Sequence, residues 1–422
     1  MKEFNTLDDF SFQDKTVLLR VDMNCPLAKD TLEIEDDNRI RQIMPTLKEL
    51  MDKGAKVVVL AHQGRPGDWD FIPLEAHAKV LSTVMGQEIR YVDDILGQTA
   101  ISAIKSLQPG KAIVLKNVRE LPYEQQSKPM EEHAQSELVK VLAPLADYYV
   151  CDAFAASHRA HCSLVGFEAV LPSAAGRLME KELNALKNVF ESPPKPSIFV
   201  LGGAKFGDSV KVVDRIISKK IASMVILVGL TGNAFLKARG VKLGKPNEDA
   251  LAKEVTPEAL AEAKRLLEEK GDKILLPYDV AIEMEGKRKD ILIGEFPMDH
   301  AILDIGKGSM YRFAKVLAGA KTIFMSGPAG MIEKKHFALG TKELMVAMTK
   351  SKAYTVIGGG HTVGAAEGFA LVDSFSYVST AGGALETYLL GKPLPALEAL
   401  KAAFKRGSLE PSRSSLTLPL SF

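Results

Sequence analysis

Short runs of valine, isoleucine and leucine recur along this chain, and segments of helical character separate them. These runs are apolar on both faces, which is typical of strands in buried parallel sheets, and their alternation with helices indicates repeated βαβ units. The runs interpreted as strands begin at Val17, Lys56, Ala112, Asp147, Ile198, Met224, Ile302, Thr322, Tyr354 and Phe375. The pattern predicts an α/β fold class with two doubly wound, Rossmann-like parallel-sheet domains joined by a helical hinge.

The length of the chain also favours more than one domain, because 422 residues exceed what one ordinary core holds. A helical segment near the middle ends in the proline-rich stretch 191–197, which stiffens the connection. A further helix is predicted over 257–270, with Thr256 as its cap and Gly271 after its last turn. We predict an N-terminal domain over 1–173, an interdomain helix and linker over 174–196, a C-terminal domain over 197–405, and a tail over 406–422 that could pack back on the N-terminal domain.

The charge balance excludes a general electrostatic attraction to nucleic acid or to anionic membranes. Lys plus Arg number 54 and Asp plus Glu number 53, which leaves a formal charge of +1. The first residues lack the pattern of a secretory signal, and no apolar stretch approaches the roughly 20 residues that span a bilayer. Three cysteines without a CxxC pair indicate a reducing compartment. We therefore expect a cytoplasmic monomer with neither nucleic acid nor membrane as partner.

In the first half of the chain, charged and imidazole side chains follow the predicted strands. Ligands of open parallel sheets bind beyond the carboxyl ends of the strands, and the arginine fork suits carboxylate or phosphate. A single arginine is more simply explained by a surface ion pair, but recurrence at five segments favours a site for a small, multiply charged anion. The candidates are Asp22, Asn24, Arg39, Arg41, His62, Arg65, Arg119, Asp152, His158, Arg159 and His161.

In the second half, glycines occupy the corresponding positions. Glycine after a strand lets backbone N–H groups approach phosphate oxygens, and the next helix N-terminus adds a favourable dipole. One such glycine would only indicate a tight turn, whereas six turns together favour a nucleotide polyphosphate site. The glycines are Gly202, Gly203, Gly229, Gly232, Gly306, Gly308, Gly327, Gly330, Gly358 to Gly360, Gly382 and Gly383.

Several common motifs are missing or incomplete. The segment 202–209 nearly has P-loop spacing, but Asp208 occupies the lysine position, so only Lys205 is kept as a candidate phosphate contact. No GxGxxG opens the first domain, which argues against a nicotinamide dehydrogenase, and no GxSxG or HExxH supports a hydrolase. His158, His161 and nearby cysteines lack the paired spacing of a zinc site. An anion site and a phosphate site on two domains instead indicate phosphoryl transfer with domain closure.

Eight short segments resemble, in the same order, motifs of the phosphoglycerate kinase family in its archaeal form. Several unrelated motifs in one order are far more specific than any single glycine loop. The segments are RVDMNCP (20–26), AHQGRP (61–66), LKNVR (115–119), DAFAASHRAHCS (152–163), LGGAK (201–205), SGPAGMIE (326–333), GGGHT (358–362) and VSTAGGA (378–384).

The resemblance implies reversible transfer of the γ-phosphoryl group of Mg-ATP to the carboxylate of 3-phosphoglycerate, giving ADP and 1,3-bisphosphoglycerate, in glycolysis and gluconeogenesis. The acid would bind to Asp22, Asn24, Arg39, His62, Gln63, Gly64, Arg65, Arg119 and Arg159. The nucleotide, with Mg²⁺, would bind to Gly202, Gly203, Lys205, Glu333, Gly358, Gly359, Gly360, His361 and Thr362. The catalytic groups would be Arg39, Lys205, Gly360 and Gly383. A carboxylate is already ionised at neutral pH, so no general base is expected.

Three positions depart from the commonest family pattern. His361 stands where an aspartate associated with the nucleotide-bound metal is usual, so the resemblance leaves the metal ligands undefined. Ser209 replaces a second phosphate lysine, for which Lys211 could substitute, and Ser326 replaces an asparagine. Two alternatives stay open: a kinase that forms an acyl phosphate from another acid, and a nucleotide sensor or scaffold that has lost transfer.

Overall fold

The computed structural model describes residues 2–203, 206–295, 299–379 and 381–409. The chain divides into two compact units: the first runs to Glu182 and takes in the chain from Pro393 onward, and the second is Leu183–Lys392. Each unit has a six-stranded parallel sheet, so the predicted fold class of two Rossmann-like domains is confirmed. None of the described helices is long and apolar enough to cross a bilayer.

The sheet of the first unit has the order β3-β4-β2-β1-β5-β6. The strand β1 is central because its apolar run is buried on both faces, and apolar residues at helical spacing in the next helix pack on the sheet. The strands are β1 (Thr16–Val21), β2 (Lys56–Leu60), β3 (Arg90–Val92), β4 (Ala112–Leu115), β5 (Tyr148–Asp152) and β6 (Ser173–Ala175). The helices are α1 (Asn38–Asp52), α2 (Glu75–Met85), α3 (Gln98–Lys105), α4 (Met130–His133), α5 (Glu137–Leu142) and α6 (Cys162–Val165).

The helix α7 (Arg177–Phe190) connects the two sheets, and the division between the units falls inside it. Strand β6 ends at Ala175, so this helix begins three residues later than the predicted segment at 174. The Oδ1 atom of Asp152 accepts a hydrogen bond from the backbone N–H of Met179 at 2.9 Å, in the first turn of α7. A carboxylate at that position stabilises unpaired amides and the positive helix end.

The second unit has the sheet order β15-β14-β13-β7-β8-β9, with a separate antiparallel sheet of order β11-β10-β12. The strands are β7 (Ser197–Leu201), β8 (Met224–Leu227), β9 (Ile274–Leu275), β10 (Asp279–Met284), β11 (Lys287–Leu292), β12 (Ile302–Ile305), β13 (Thr322–Ser326), β14 (Tyr354–Gly358) and β15 (Tyr377–Ser379). The helices are α8 (Phe206–Ser218), α9 (Gly229–Ala238), α10 (Lys245–Ala252), α11 (Pro257–Lys270), α12 (Lys307–Ala318), α13 (Leu339–Lys350), α14 (Gly360–Gly368) and α15 (Gly382–Leu389).

The run that begins at Ile302 was predicted as a parallel strand, and this prediction is wrong. It forms β12, which pairs antiparallel with β10. Only half of this strand is fully buried, and it carries Asp304, whose carboxylate accepts from Arg288 on β11 at 2.8 Å. A buried ion pair fixes this run in the small sheet, and hydrophobicity alone could not indicate that.

The C-terminal helix α16 (Pro395–Leu409) belongs to the first unit, although residues up to 405 were predicted with the C-terminal domain. The backbone N–H of Ala396 donates to the Ser157 carbonyl at 3.2 Å, and the Arg406 guanidinium donates to the carbonyl of Glu168. Packing against segments far away in sequence decides where this helix lies. The predicted tail from 410 lies outside the described residues.

Candidate functional site

Asp22 follows β1 and organises the carboxyl-end edge of the first sheet. Its carboxylate accepts from Arg39 Nη1 at 2.5 Å and from the backbone N–H of Asn24 at 3.0 Å. Burial opposes its ionisation, yet the positive groups around it lower the pKa of Asp22 to about 2. The charged carboxylate therefore holds Arg39, from the first turn of α1, at the end of β1.

The loop after β2 turns sharply at Gly64. This residue has a φ of 63°, and a Cβ there would lie 2.5 Å from the backbone of Asp70, so only glycine fits. The Gly64 N–H donates to Asn24 Oδ1 at 2.8 Å, and the Gly64 carbonyl accepts from Arg119 Nη1. One glycine thus connects three of the predicted substrate-binding segments.

Gln63, which was predicted to bind substrate, has its side chain engaged with protein backbone. Its Oε1 accepts from the Cys25 N–H at 2.8 Å, and its Nε2 donates to the Cys25 carbonyl at 3.1 Å. The residue is fully buried and also contacts His77 Nε2 at 3.0 Å. We therefore interpret Gln63 as a support that joins the loops after β1 and β2.

Arginines from several strand ends lie close enough to perturb one another. Burial lowers the pKa of Arg119 to about 10, and Arg159 and Arg20 add to the effect. Burial likewise lowers the pKa of Arg159, and Arg65, Arg20 and Arg39 contribute. The buried Nε of Arg119 has no hydrogen-bond partner among the described residues. Such a surplus of positive charge, beside the carboxyl groups of Asp22 and Glu124, is suited to bind an anion.

Of three other predicted residues, one lies beside the arginine cluster and two have structural contacts elsewhere in the first unit. Burial and the neighbouring arginines lower the pKa of His161 to about 3, which places this ring beside the cluster. Arg41 instead pairs with Asp37 on the surface of α1 at 2.7 Å. Asp152 stabilises the start of α7 and is fully buried.

Sequence analysis missed Arg20 and Glu124, both of which are buried near the arginine cluster. A signal for Arg20 exists: it is a charge inside an apolar run, two residues before Asp22, and alternate residues of a strand share one face. For Glu124 no local signal exists, because it reaches Arg20 only through Ser163.

In the second unit, the turns after β7 and β13 contact each other through backbone. A Cβ at Gly202 would lie 2.5 Å from the Pro328 carbonyl oxygen, and a Cβ at Gly327 would overlap the backbone of Gly202. Gly203 and Gly327 also have φ values of 93° and 90°, which favour glycine. These predicted nucleotide-binding turns therefore depend on the absence of side chains.

The turn after β14 leads directly into α14. Gly359 has a φ of 90°, and the Thr362 hydroxyl accepts from the Gly327 N–H at 2.7 Å, which links this turn to the previous one. A Cβ at Gly360 would meet nothing within 4 Å, and His361 is exposed. The space beside Gly360 at the start of the helix is thus open, and a helix N-terminus suits an anion. Gly383 lies likewise in the first turn of α15.

Glu333 lines a cavity of about 800 Å³ in the second unit. A cavity of this size with mixed lining suits a small molecule. Its apolar lining comprises Ile332, Ala338, Leu339, Ala365 and Phe369, and its basic lining comprises Arg288, Lys307, Lys335, His336 and Lys342. Of the other predicted contacts, Lys205 lies outside the described residues. In the described part of the chain, no three His, Cys, Asp or Glu side chains cluster as metal ligands would.

Comparison with known proteins decides the family. The family model described as phosphoglycerate kinase matches residues 7–392. The chain belongs to the phosphoglycerate kinase family. The resemblance predicted from the motifs is confirmed, and so is the enzyme class, a kinase that transfers phosphate to a carboxyl group.

Curated phosphoglycerate kinases from archaea are similar over almost the whole chain. That of Methanopyrus kandleri is 44% identical over 399 residues, which cover 94% of this chain and 98% of the relative. That of Methanococcus maripaludis is 43% identical over 415 residues, with 96% and 100% covered. The crystal structure of phosphoglycerate kinase from Pyrococcus horikoshii has a TM-score of 0.86 at 37% identity, and covers 95% of this chain and 100% of that one.

Proposed function

We propose that the first unit holds 3-phosphoglycerate and the second holds Mg-ATP, and that the γ-phosphoryl group passes reversibly to the acid's carboxylate. The observation that supports this most is the arginine cluster, in which the guanidinium groups of Arg20, Arg39, Arg65, Arg119 and Arg159 outnumber the carboxyl groups beside them. An acid with both a carboxylate and a phosphate supplies the missing negative charge at two points.

Each group of the acid has a chemical counterpart in the first unit. The guanidinium forks of Arg65, Arg119 and Arg159 suit the phosphate, and Asp22 offers a carboxylate acceptor for the acid's hydroxyl. Arg39 already donates to Asp22, so it enters the reaction oriented and without a conformational search. This pre-organisation supports a role for Arg39 at the reacting carboxylate.

The nucleotide's phosphates suit the glycine turns and the start of α14 in the second unit. The close backbone approach at Gly202 and the positive φ of Gly203 and Gly359 favour residues without side chains, and the amides near Gly360 suit phosphate oxygens. Glu333 would accept from the ribose hydroxyls. Mg²⁺ belongs to the nucleotide substrate, bound through phosphate oxygens and water as this hard cation prefers.

The reaction needs no proton removed from the acid. A carboxylate oxygen attacks the γ-phosphorus, the bond to the bridging oxygen breaks, and ADP leaves with that oxygen's electron pair. The protein's contribution is charge stabilisation of the transferring group by Arg39, Lys205 and the backbone N–H groups of Gly360 and Gly383. Contact between the two bound substrates is a chemical requirement, and closure that excludes water would protect the phosphoryl group from hydrolysis.

Two arginines of α1 provide a matched test. Arg39→Ala removes a transition-state donor, so we expect kcat to fall by about a hundredfold or more. Arg41→Ala removes the same side chain two residues further on, where it makes only an exposed ion pair, and kcat should stay within about twofold. Lys205→Ala should behave like Arg39→Ala. Equal kcat values in the variants at 39 and 41 would refute the assignment of Arg39.

A further inference from the structure

A buried chain of hydrogen bonds runs from Glu124 to His62 in the first unit. The Ser163 hydroxyl donates to Glu124 Oε1 at 2.6 Å, and the Ser163 backbone N–H donates to Glu124 Oε2 at 2.8 Å. Ser163 Oγ accepts from Arg20 Nε at 2.7 Å, and Arg20 Nη2 lies 3.2 Å from His62 Nδ1. All four side chains are at most 2% exposed, so water does not compete for these bonds.

The chemistry of the groups fixes the direction of both bonds that Arg20 makes in this chain. A guanidinium has no lone pair to accept with, so Arg20 donates to both Ser163 and His62. The Ser163 hydroxyl has a single proton, which it gives to Glu124, and its oxygen therefore accepts from Arg20. His62 Nδ1 consequently accepts, and the proton of the neutral ring lies on Nε2.

The charges around His62 favour the same state. Burial lowers the pKa of His62 well below its ordinary value; Asp22 opposes this effect, while Arg20, Arg119 and Arg159 add to it. A proton on Nδ1 would also point at the Arg20 guanidinium. His62 is thus a neutral ring over the ordinary pH range of the enzyme.

We propose that Glu124 and Ser163 are positioning residues that, through Arg20, hold His62 as a neutral ring whose Nε2–H donates to the anionic acid. The identity of that acid rests on the proposed function, whereas the tautomer is a property of the protein without substrate. A neutral donor binds an anion without carrying a charge that changes between pH 6 and 8. Binding of the acid then depends on the permanently charged arginines for charge and on His62 for orientation.

The tautomer can be observed directly by long-range ¹⁵N–¹H spectra of the histidine rings in the apoprotein. The chain has eight histidines, so the signals of His62 are assigned by their absence from the spectrum of the His62→Gln variant. We expect the Nε2–H pattern for His62, unchanged from pH 8 to pH 5.5. An Nδ1–H pattern, or titration near the ordinary value of about 6.5, would overturn the proposal.

Variants of Ser163 test the connection. Ser163→Ala removes the acceptor of Arg20, so we expect His62 to show mixed tautomers or to titrate closer to about 6.5. The KM for 3-phosphoglycerate at pH 7 should rise about tenfold, with kcat within about twofold, as loss of one oriented hydrogen bond predicts. Ser163→Thr keeps the hydroxyl and should restore both properties.

Ser173→Ala is the matched control, because Ser173 is also buried and, among the described residues, its hydroxyl bonds only to the Leu171 carbonyl at 2.8 Å. Identical His62 spectra in the alanine variants at 163 and 173 would overturn the positioning role. Should Ser163→Ala fail to fold, Glu124→Gln tests the same chain from its other end and should shift His62 in the same direction. If His62 shows the predicted tautomer but the protein does not turn over 3-phosphoglycerate, the proposed function is contradicted and the positioning of His62 is supported.

Discussion

Two arginines of the first unit, Arg177 and Arg119, have opposite electrostatic environments. Arg177 donates to Glu49, Asp8 and Glu180, and these hydrogen bonds raise its pKa. Arg119 has no ion pair of this kind in the described part of the chain, and burial lowers its pKa to about 10. Arg177, with three carboxylate partners, stabilises the fold, whereas the buried Arg119, in which the Nε has no partner among the described residues, suits an anionic ligand.

Asp22 and Arg119 could be proposed from the sequence because each follows a recognisable strand. The residue pattern alone could not separate Arg39 from Arg41, since that depends on which face of α1 meets the carboxylate of Asp22, and only the family resemblance favoured Arg39. The sequence pattern also predicted Asp152 as a ligand-binding residue, whereas in the structure its carboxylate bonds to the first turn of α7. Side-chain direction, rather than position in the chain, decides these cases.

Asp152 provides a test of stability against pH. Burial raises the pKa of Asp152 to about 6, while the unfolded value is about 3.9, so its ionisation destabilises the folded state as the pH rises through this window. Asp152→Asn removes that effect. We expect the stability of the variant relative to wild type to increase by about 2 kcal/mol between pH 4 and pH 7.5.

Urea unfolding followed by Trp69 fluorescence measures this change in the first unit, because Trp69 is the single tryptophan of the chain. Asp30→Asn, at an exposed position of the same unit, is the control and should show no such trend. A stability difference for Asp152→Asn that stays constant across this pH range would refute a raised pKa.

At the scale of elements, local signals were reliable, and the prediction of parallel pairing was wrong only for the run that begins at Ile302. Helix α11 has the predicted bounds, and the Thr256 hydroxyl accepts from the Ala259 N–H at 3.2 Å as a cap should. The short strands β3, β6 and β9 carry too few residues to show a pattern. The strand β12 was assigned to the wrong sheet because its position depends on an ion pair with Arg288, and no local sequence pattern reveals that contact.

The glycine turns of the second unit give a second prediction. Gly327→Ala forces a side chain into a backbone at φ 90° and against Gly202, so we expect a loss of at least about 2 kcal/mol in stability and weaker ADP binding by at least tenfold. Thermal unfolding and calorimetric titration measure the two effects. Gly271→Ala, with ordinary φ and nothing within 4 Å, is the control. If both variants bind ADP like wild type, the turn has no part in the nucleotide site.

At the scale of the whole molecule, the sequence indicates two domains because the βαβ pattern repeats on either side of a proline-rich connection. A return to the N-terminal domain was predicted only from residue 406, and that residues 395–405 of α16 also belong to the first unit depends on long-range packing at Ser157 and Glu168. The two units also differ in the residues that follow their strands. Charged side chains follow the strands of the first unit, and glycine turns follow the strands of the second. This division is what a kinase with an anionic acceptor requires.

The most direct measurement mixes the purified protein with ATP, Mg²⁺ and 3-phosphoglycerate. Formation of 1,3-bisphosphoglycerate is followed by NADH oxidation through glyceraldehyde-3-phosphate dehydrogenase, with a control that omits the acid. We predict turnover that depends on the acid and falls about a hundredfold in Arg39→Ala. No acid-dependent turnover, in protein that still binds ADP by calorimetry, would contradict the central claim that this arginine cluster holds 3-phosphoglycerate for phosphoryl transfer.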